Sequence, residues 1–257
     1  MTADDRHELK YAGIIEARMT SSRLSGKMMK LIGGKPSIEI LVKRLQQVSG
    51  LNQVIVATTV NVADNPLNDF CNQFGIGCFR GSEEDVLGRV LGAARMFGVD
   101  VIVEVTGDST FIDPELTQEL IDAYKQSDAD FVANCVERPF LPPGMGARIF
   151  SMEALGEVDR ITQDLDDREH VSLHFWEHPD KYKLLHLKPP PELVSFDQHI
   201  ALDGPGDLEM LRHIYDALEP QNHFFTAREI IEFLHDHPDV AKLSRKVKRK
   251  GTHNEQK

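Results

Sequence analysis

Three cations follow a short apolar stretch near the start of the chain. Residues 11–17 are apolar enough to form a buried strand, and Arg18, Arg23 and Lys27 come after them among small residues. Backbone N–H groups and cationic side chains in such a loop can wrap a polyphosphate. It is not a Walker A loop, because Met28 follows the lysine where Ser or Thr is required. A basic surface turn is the alternative interpretation.

Carboxylates that could bind a metal ion come later in the chain. Asp108 follows a predicted buried strand and a glycine, where a carboxylate can bind a hard divalent cation that also contacts phosphates. Capping of a turn or helix is the alternative for Asp108. Asp203 ends another predicted strand, and Asp207 lies in the first turn of the following helix. Capping alone explains Asp207.

A second group of possible ligands is histidine. His170, His174 and His178 recur every four residues, so one helix would place them roughly on one face. Three imidazoles could hold zinc, but Pro179 limits a helix directly after the last of them. A substrate or dimer contact and a plain surface are the alternatives. Cys135 is not expected to be a nucleophile, because no partner base is evident.

The cationic loop resembles the opening motif of a known family. A-R-M-T-S-S-R-L-S-G-K, at residues 17–27, resembles A-R-M-x-S-T-R-L-P-G-K of the sugar cytidylyltransferases. The spore-coat polysaccharide branch is closest, and CMP-Kdo and CMP-sialic acid synthetases are more distant. The resemblance implies that the loop holds a nucleotide triphosphate. The implied nucleotide contacts are Ala17, Arg18, Ser21, Ser22, Arg23 and Lys27.

Further motifs follow in the family's order. Residues 80–89 resemble F-R-G-S-E-x-D-V-L-x-R, which surrounds the base and ribose in the family. The implied nucleotide contacts are Arg80, Gly81, Asp85, Arg89 and Asp108, with Ala57 and Thr58 on the opposite wall. Without the resemblance, Arg89 would be a solvated helix residue. Residues 105–114 and 201–208 resemble T-G-D-C-P-L-I-D-P and V-D-T-P-E-D-L, which implies that Asp108 and Asp203 hold Mg²⁺.

The sugar side departs most from the family pattern. Residues 168–171 resemble R-E-H-V-T, and residues 144–148 align with a segment, often G-L-D-V-E, that faces the sugar. Here the acids of that segment are missing and Arg148 is present, which hints at a more anionic substrate, while Glu104 replaces a commonly basic residue. The implied sugar contacts are Gly144, Arg148, Arg168, Glu169 and His170. Asn134 precedes the loop and could hydrogen-bond a sugar hydroxyl.

Regular alternation of strands and helices must position these residues. We predict strands at 11–17, 53–59, 76–79, 100–105, 130–135, 182–187 and 199–203. We predict helices at 36–48, from a cap at Asp64 with Phe74 on its inner face, at 83–97 with Ser82 as cap, and at 113–126, 164–177, 206–218 and 227–235. The pattern predicts an α/β, Rossmann-like nucleotidyltransferase fold with a mostly parallel sheet and helices on both faces. Arg18, Thr58, Arg80 and Asp108 fall just past strand ends, where such sheets bind ligands.

The predicted organisation is a single nucleotidyltransferase domain over residues 1–240. It carries a sugar-side or dimerisation insertion at about 137–190, which includes a Pro/Gly-rich loop at 139–146. Residues 1–9 are predicted to be a loose tail. Residues 241–257 are predicted to be a basic, disordered tail, because blocks of like charge are usually disordered.

Composition narrows the class of protein. The net charge of −12 over 257 residues argues against a general nucleic-acid or anionic-membrane binder. No apolar run approaches the roughly 20 residues that span a bilayer, and the polar N-terminus lacks a signal-peptide core. The three cysteines form no C-x-x-C pair, so a reducing cytoplasm is expected.

The resemblance implies a Mg²⁺-dependent cytidylyltransferase. A sugar would attack the α-phosphate of CTP, with Arg18, Lys27 and Asp108 as catalytic residues and an acidic 3-deoxy sugar as the first substrate class. The partners would be CTP, the sugar and a second copy of the chain. The alternatives are a guanylyl- or uridylyltransferase acting on a sugar 1-phosphate and a non-catalytic nucleotide-sugar-binding subunit. A glycosyltransferase of similar fold would be expected to carry D-x-D, but Thr110 follows two places after Asp108.

Overall fold

The computed structural model describes residues 4–136, 141–194 and 198–245. Part of the predicted Pro/Gly-rich loop, residues 139–140, lies outside these ranges, as does the basic tail after residue 245. Within the described ranges, no helix is both long and apolar enough to cross a bilayer.

Strands and helices alternate over most of the described chain. The strands are β1 (Tyr11–Glu16), β2 (Leu31–Ile32), β3 (Lys35–Pro36), β4 (Gln53–Thr59), β5 (Gly77–Gly81), β6 (Val101–Thr106), β7 (Phe131–Ala133), β8 (Arg148–Ser151) and β9 (Leu184–His186). The helices are α1 (Ser37–Leu45), α2 (Asn65–Phe74), α3 (Val86–Phe97), α4 (Pro114–Gln126), α5 (Met152–Ile161), α6 (Leu165–Glu169), α7 (Leu173–Glu177), α8 (Pro191–Val194), α9 (Pro205–Leu218), α10 (Ala227–Asp236) and α11 (Pro238–Arg245).

The central sheet confirms the predicted mostly parallel α/β fold. Its described strands run in the order β5-β4-β1-β6-β8-β7-β9. β1 is parallel to both β4 and β6, and β4 is parallel to β5. This order of the first four parallel strands is that of a doubly wound sheet, in which the crevice between β1 and β6 is the usual ligand site.

One antiparallel strand interrupts the parallel order. β8 lies between β6 and β7 and is antiparallel to both. The predicted elements do not include β8, and they place β7 next in the parallel series after β6. A four-residue strand with only Ile149 and Phe150 buried is too short to show a periodicity.

Helices cover both faces of the sheet, as predicted. Ile15 of β1 packs in one apolar core with residues of α1, α2 and α4. Its neighbour Ile14 packs in a second core with residues of α3, α5 and α7. Because successive side chains of a strand point to opposite faces, these two cores lie on opposite sides of the sheet.

A third apolar core joins the C-terminal helices α9 and α10 to the loop before α4. Arg44 of α1 ties this core to the sheet, donating to the backbone oxygens of Ile112 at 2.7 Å and Phe225 at 2.6 Å. Burial lowers the pKa of Arg44 to about 10. A fully buried guanidinium is tolerated here because two carbonyl groups accept its hydrogen bonds.

The described parts of both predicted tails are folded. Residues 4–7 form a 3₁₀ turn, and Arg6 is 3% exposed. Arg6 donates to the carbonyl oxygens of Tyr124 at 2.8 Å and Ala129 at 2.9 Å. At the other end, α11 extends through Arg245 and buries Ala241 against the third core. Residues 241–245 therefore belong to the folded domain.

Several predicted local features are wrong. Residues 199–203 form no strand; Leu202 donates a single backbone hydrogen bond to the Asp108 oxygen at 2.9 Å. Helix α3 begins after Asp85, whose side chain caps Gly88 N, instead of after Ser82. Phe74 is 45% exposed, because it lies in the last turn of α2, beyond the edge of the core.

Candidate active site

A cavity of about 1160 Å³ opens at the carboxyl ends of β1 and β6, between the cationic loop and helices α6 and α7. Small-molecule pockets are typically about 300–1,000 Å³, so this one is slightly larger than that range. Ten of the predicted site residues line it: Arg18, Ser21, Ser22, Arg23, Lys27, Asp108, Arg148, Glu169, His170 and Asp203. The other predicted residues lie outside this lining: Ala17, Ala57, Thr58, Arg80, Gly81, Asp85, Arg89, Asn134, Gly144 and Arg168.

The cationic loop has a defined backbone. Gly26 adopts a left-handed φ of 68° and donates its N–H to the Met19 oxygen at 2.9 Å, which closes the loop. A 3₁₀ turn follows at Lys27–Met29. The hydroxyl of Ser37, at the start of α1, donates to the Lys27 oxygen at 2.8 Å. These contacts fix the backbone of Lys27 at the cavity wall.

Asp64 anchors the other side of the same loop. Its Oδ1 accepts the backbone N–H of Met19 at 2.6 Å. Its Oδ2 accepts from Thr58 Oγ1 at 3.1 Å, Thr59 N at 3.1 Å and Thr59 Oγ1 at 2.5 Å. The side chain makes no capping hydrogen bond to α2, so the predicted capping role is replaced by a link between the loop and the end of β4.

Two predicted metal carboxylates meet two loop cations. Lys27 Nζ lies 3.1 Å from Asp108 Oδ2 and 3.4 Å from Asp203 Oδ1. Arg23 Nη2 lies 2.6 Å from Asp203 Oδ1. Burial raises the pKa of Asp108, but the Lys27 ammonium and the Thr106 hydroxyl more than offset this and hold that pKa below its ordinary value. Asp108 is therefore ionised at neutral pH.

These carboxylates fit a magnesium site that depends on substrate. Mg²⁺ is usually bound by one or two carboxylates together with substrate phosphates and water. Asp108 and Asp203 share one ammonium, so a cation can interact with both of them. Among the described residues there is no cluster of three or more His, Cys, Asp or Glu side chains suited to a metal. The remaining ligands of such an ion would have to come from the nucleotide and from water.

Two neighbouring residues explain how these carboxylates are held. Asp207 Oδ2 accepts the backbone N–H groups of Asp203 at 3.1 Å and Gly204 at 2.8 Å, so Asp207 caps the start of α9. Gly107 lies where a side chain would clash, because an added Cβ would be 2.8 Å from both the Glu16 oxygen and Met28 Sδ. A glycine there lets the end of β6 approach β1 and places Asp108 at the cavity.

Arg18 projects more freely than the other loop cations. Its side chain is 46% exposed, and its Nη1 lies 3.6 Å from Glu83 Oε1. Glu83 also accepts hydrogen bonds from Thr20 and from Asn61 Nδ2. Arg18 thus remains able to turn towards a bound anion in the cavity.

Glu104 and Arg148 form an ion pair on the cavity floor. The register of β6 against β8 places them opposite each other, with Arg148 Nη1 3.6 Å from Glu104 Oε1. In the family pattern the position of Glu104 is commonly basic and the position of Arg148 is often acidic. The two departures from the pattern therefore form a single ion pair whose charges are exchanged. Because Glu104 pairs with Arg148, the suggestion that Arg148 favours a more anionic substrate loses its support.

The predicted base-binding arginines make structural contacts. Arg89 is 3% exposed and donates to the backbone oxygens of Ala57 at 3.2 Å and Ser82 at 2.5 Å, so it is not a solvated helix residue. Arg80 donates to the backbone oxygens of Thr59 at 2.8 Å and Asn61 at 2.7 Å. Both arginines shape the loops beyond β4 and β5.

Asp85 and Arg168 meet although they come from different motifs. Arg168 Nε donates to Asp85 Oδ1 at 2.8 Å, and its Nη1 donates to Asp159 Oδ1 at 2.8 Å. Burial raises the pKa of Asp85, but Arg168 and the Gly88 N–H outweigh it and the pKa is lowered. This ion pair joins α6 to the N-terminus of α3.

The predicted helix with three histidines is broken into α6 and α7 at His170. His174 and His178 stack with their ring centroids 4.0 Å apart. His174 Nδ1 lies 2.9 Å from Asp167 Oδ2. The three rings therefore do not share one helix face, although all three residues line the cavity.

The remaining sugar-side predictions fall on loop contacts. Asn134 Oδ1 accepts the Ala147 N–H at 3.0 Å. Gly144 has φ 97°, and an added Cβ would be 2.5 Å from the Ala201 nitrogen. These two residues hold the segment before β8 in place.

Several residues of this site have no predicted site role. Asp64 is predicted only as a helix cap. Glu16, His199 and Trp176 line the cavity but were given no role. Glu16 directly precedes the recognised motif, and this was the only signal for it in the sequence. His199 and Trp176 carried none.

Comparison with known proteins agrees with the geometry. The chain is 32% identical over 247 residues to an uncharacterized protein of Methanocaldococcus jannaschii, covering 95% of this chain and 98% of that one. It is 31% identical to the spore coat polysaccharide biosynthesis protein SpsF of Bacillus subtilis, covering 89% and 95%. A solved cytidylyltransferase structure from Leptospira borgpetersenii superposes with a TM-score of 0.85 at 26% identity, covering 95% and 100%.

The match to a family extends over nearly the whole folded chain. The sequence model described as cytidylyltransferase covers residues 12–245, from the first residues of β1 to the last residue of α11. It therefore includes the cationic loop, both predicted metal carboxylates and the C-terminal helices that carry Asp207. With the fold, the placement of the loop and this match in agreement, the chain belongs to the cytidylyltransferase family.

Proposed function

We propose that this protein transfers a cytidylyl group from CTP to a sugar, giving a CMP-sugar and pyrophosphate. The observation that carries this is the meeting of Arg23 and Lys27 with Asp108 and Asp203 at one cavity wall. Cations for a polyphosphate and carboxylates for a divalent ion are both needed for phosphoryl chemistry. A binding protein without catalysis has less need of the two carboxylates.

The residues take separate roles in this reaction. The oxygen of a sugar hydroxyl forms a bond to the α-phosphorus and its proton is released to solvent water, while the bond from that phosphorus to the bridging oxygen breaks and its electron pair leaves with pyrophosphate. Arg18, Arg23 and Lys27 bind the β- and γ-phosphates and stabilise the charge that develops on the leaving group. Asp108 and Asp203 would hold Mg²⁺, which when bound orients the triphosphate and neutralises charge. Positioning and electrostatics suffice, so no covalent enzyme intermediate is required.

The proposed acceptor is an acidic 3-deoxy sugar destined for a surface polysaccharide. The SpsF name and the opening-loop resemblance support polysaccharide synthesis. The cavity lining continues from the phosphate loop to Glu169 and His170, which leaves space for an acceptor beside the nucleotide. We also propose the cytoplasm as the compartment, since Cys71, Cys78 and Cys135 are all unpaired.

A homodimer is part of the proposal. Leu165, at the start of α6, is 81% exposed, and Ile161, at the end of α5, is 61% exposed. Large apolar side chains this exposed, in the region predicted to reach a partner, support a contact between copies. Light scattering of the wild type and Leu165→Asp tests it: a dimer in the former and a monomer in the latter are expected, and a monomeric wild type refutes it.

The reaction is tested by pyrophosphate release. The purified chain is supplied with Mg²⁺, each of the four nucleoside triphosphates, and acidic sugars or sugar 1-phosphates. Asp203→Asn and Lys27→Met are expected to lose activity, whereas Asp69→Asn, at an exposed position of α2, is expected to keep it. Pyrophosphate release with GTP or UTP and a sugar 1-phosphate would mean that this nucleotide, and not CTP, is the substrate. Nucleotide binding without any release would instead favour a non-catalytic subunit.

A further inference from the structure

We propose that Glu16, Glu104 and Arg148 form an acceptor-recognition cluster, which binds neighbouring hydroxyl groups of the sugar and not its carboxylate. The inference rests on the proposed function, and it names the residues that select the sugar, which is the acceptor of the cytidylyl group. All three residues line that cavity. The sequence motifs imply no substrate contact for Glu16 or Glu104. Because these carboxyl groups lie beside Arg148, that arginine does not act as an isolated cation for the substrate.

The strand registers bring the three side chains to one face of the sheet. Glu104 lies opposite Ile14 of β1 and opposite Arg148 of β8. Glu16 lies two residues after Ile14 and therefore points to the same face. Asp108 follows the end of β6, four residues beyond Glu104. The cluster is thus on the cavity floor, next to Asp108, which is proposed to hold the Mg²⁺ that binds the phosphates.

The cluster is buried but not satisfied by the protein. The side chain of Glu104 is 4% exposed, and that of Arg148 is 26% exposed. Glu16 Oε1 and Glu104 Oε2 are buried and accept no hydrogen bond from a described donor, although the two carboxyl groups lie within hydrogen-bond reach of each other. Buried polar atoms in proteins are nearly always hydrogen-bonded, so the acceptor positions that the two groups leave open on this cavity wall suit a ligand hydroxyl or water.

The chemistry of the cluster suits hydroxyl groups. Burial and the nearby Glu104 carboxyl raise the pKa of Glu16 well above its ordinary value, which favours one proton shared between the two carboxyl groups. The cluster then offers carboxyl oxygens as acceptors and the Arg148 guanidinium as a donor. Hydroxyl groups both donate and accept and match this set. A sugar carboxylate would meet Glu104 and find Arg148 already paired, so it must bind elsewhere in the cavity.

The test measures sugar binding separately from transfer. Trp176 is the only tryptophan of the chain and lines the cavity, so its fluorescence reports sugar binding without nucleotide. The probes are hydroxylated acidic sugars and their deoxy analogues, with wild type and Glu104→Gln. We expect Glu104→Gln to weaken binding of the hydroxylated sugar about tenfold to a hundredfold, as for loss of a hydrogen bond to a charged group. Removing the recognised hydroxyl should weaken binding to the wild type similarly and have little effect in the variant.

Controls separate specificity from folding. Glu157→Gln removes a partly exposed partner of Arg160 at 4.0 Å on α5, away from the cavity, and should change nothing. Thermal unfolding identifies a variant that fails to fold. The double variant Glu104→Arg with Arg148→Glu keeps an ion pair but exchanges the positions of its hydrogen-bond donor and acceptor, so it changes which hydroxyl groups the pair can bind. The inference is overturned if Glu104→Gln binds all sugars as the wild type does, or if the wild type binds none. Sugar binding as expected, without pyrophosphate release from any triphosphate, would refute the proposed function alone.

Discussion

Substituting Asp64 by alanine should destabilise the fold and weaken nucleotide binding together. Asp64 is fully buried and accepts hydrogen bonds from Met19 N, Thr58 Oγ1, Thr59 N and Thr59 Oγ1. It is the link between the cationic loop and the end of β4. Loss of the carboxylate therefore releases the loop backbone directly beside Arg18.

The size of the loss in stability follows from the hydrogen-bond donors that lose the Asp64 carboxylate. The hydroxyls of Thr58 and Thr59 can rotate towards other acceptors, but the N–H groups of Met19 and Thr59 cannot. An unsatisfied buried donor costs about 1–3 kcal/mol, so we expect a loss of about 2–5 kcal/mol in the free energy of unfolding. For a domain of this size, each kcal/mol lowers Tm by about 2–4 °C, which gives a fall of roughly 4–20 °C.

Calorimetry measures both consequences. Differential scanning calorimetry gives Tm, and titration calorimetry with CTP gives the affinity. Asp64→Asn keeps one carbonyl acceptor and should fall between the wild type and Asp64→Ala. Asp69→Ala is the matched control, because Asp69 is exposed on α2, the helix that directly follows Asp64, and should change stability by less than about 0.5 kcal/mol.

Two results would contradict the reasoning. A Tm of Asp64→Ala within about 2 °C of the wild type would mean that the released N–H groups find water or new partners, since each unsatisfied donor should cost at least about 1 kcal/mol. A large fall in Tm with unchanged CTP affinity would mean that the loop does not need its anchor to bind phosphates. The second result would leave the stability argument intact and remove the positioning role.

Three further outcomes are expected. The lowered pKa of Asp85 beside Arg168 means that their contribution to stability is present above the unfolded pKa and is lost as the pH falls through the folded value. Urea unfolding should therefore show the wild type and Asp85→Asn converging in acid. Glu16 has a raised pKa, so its contribution is full below the unfolded pKa and is lost as the pH rises through the folded value. Glu16→Gln should gain stability relative to the wild type with rising pH, and equal curves would contradict this. Gly107→Ala should cost about 1–3 kcal/mol by overpacking against Met28, with unchanged Tm as the contrary result.

Much of the fold was predictable because its signals are local. The β4 strand coincides with the predicted 53–59. Helix α4 begins after Asp113, whose side chain accepts from Glu115 N and Leu116 N as a cap, with Pro114 in the first turn as predicted. Each signal lies within a few residues of the element that it specifies. The same local rules failed at the start of α3, because Ser82 is as suitable a capping residue as Asp85 and lies only three residues before it.

Contacts between distant residues were not visible in local patterns. Lys27 and Asp203 are separated by 176 positions, and their meeting was expected only from the family resemblance. The local pattern alone places Arg89 on a solvated helix face, yet it is buried because β4 and the loop after β5 present carbonyl groups to it. Asp64 likewise had an adequate local role as a cap, which concealed its contact with Met19.

The sequence by itself determined the class of fold, the family and the cationic loop, because strand periodicity, helix caps and a contiguous motif are encoded over short stretches. Only the tertiary structure decided the floor of the cavity. The insertion of β8 against β6 set Arg148 opposite Glu104 and turned two separate departures into one ion pair. Strand order depends on packing of the whole sheet, and no short stretch of sequence carries it.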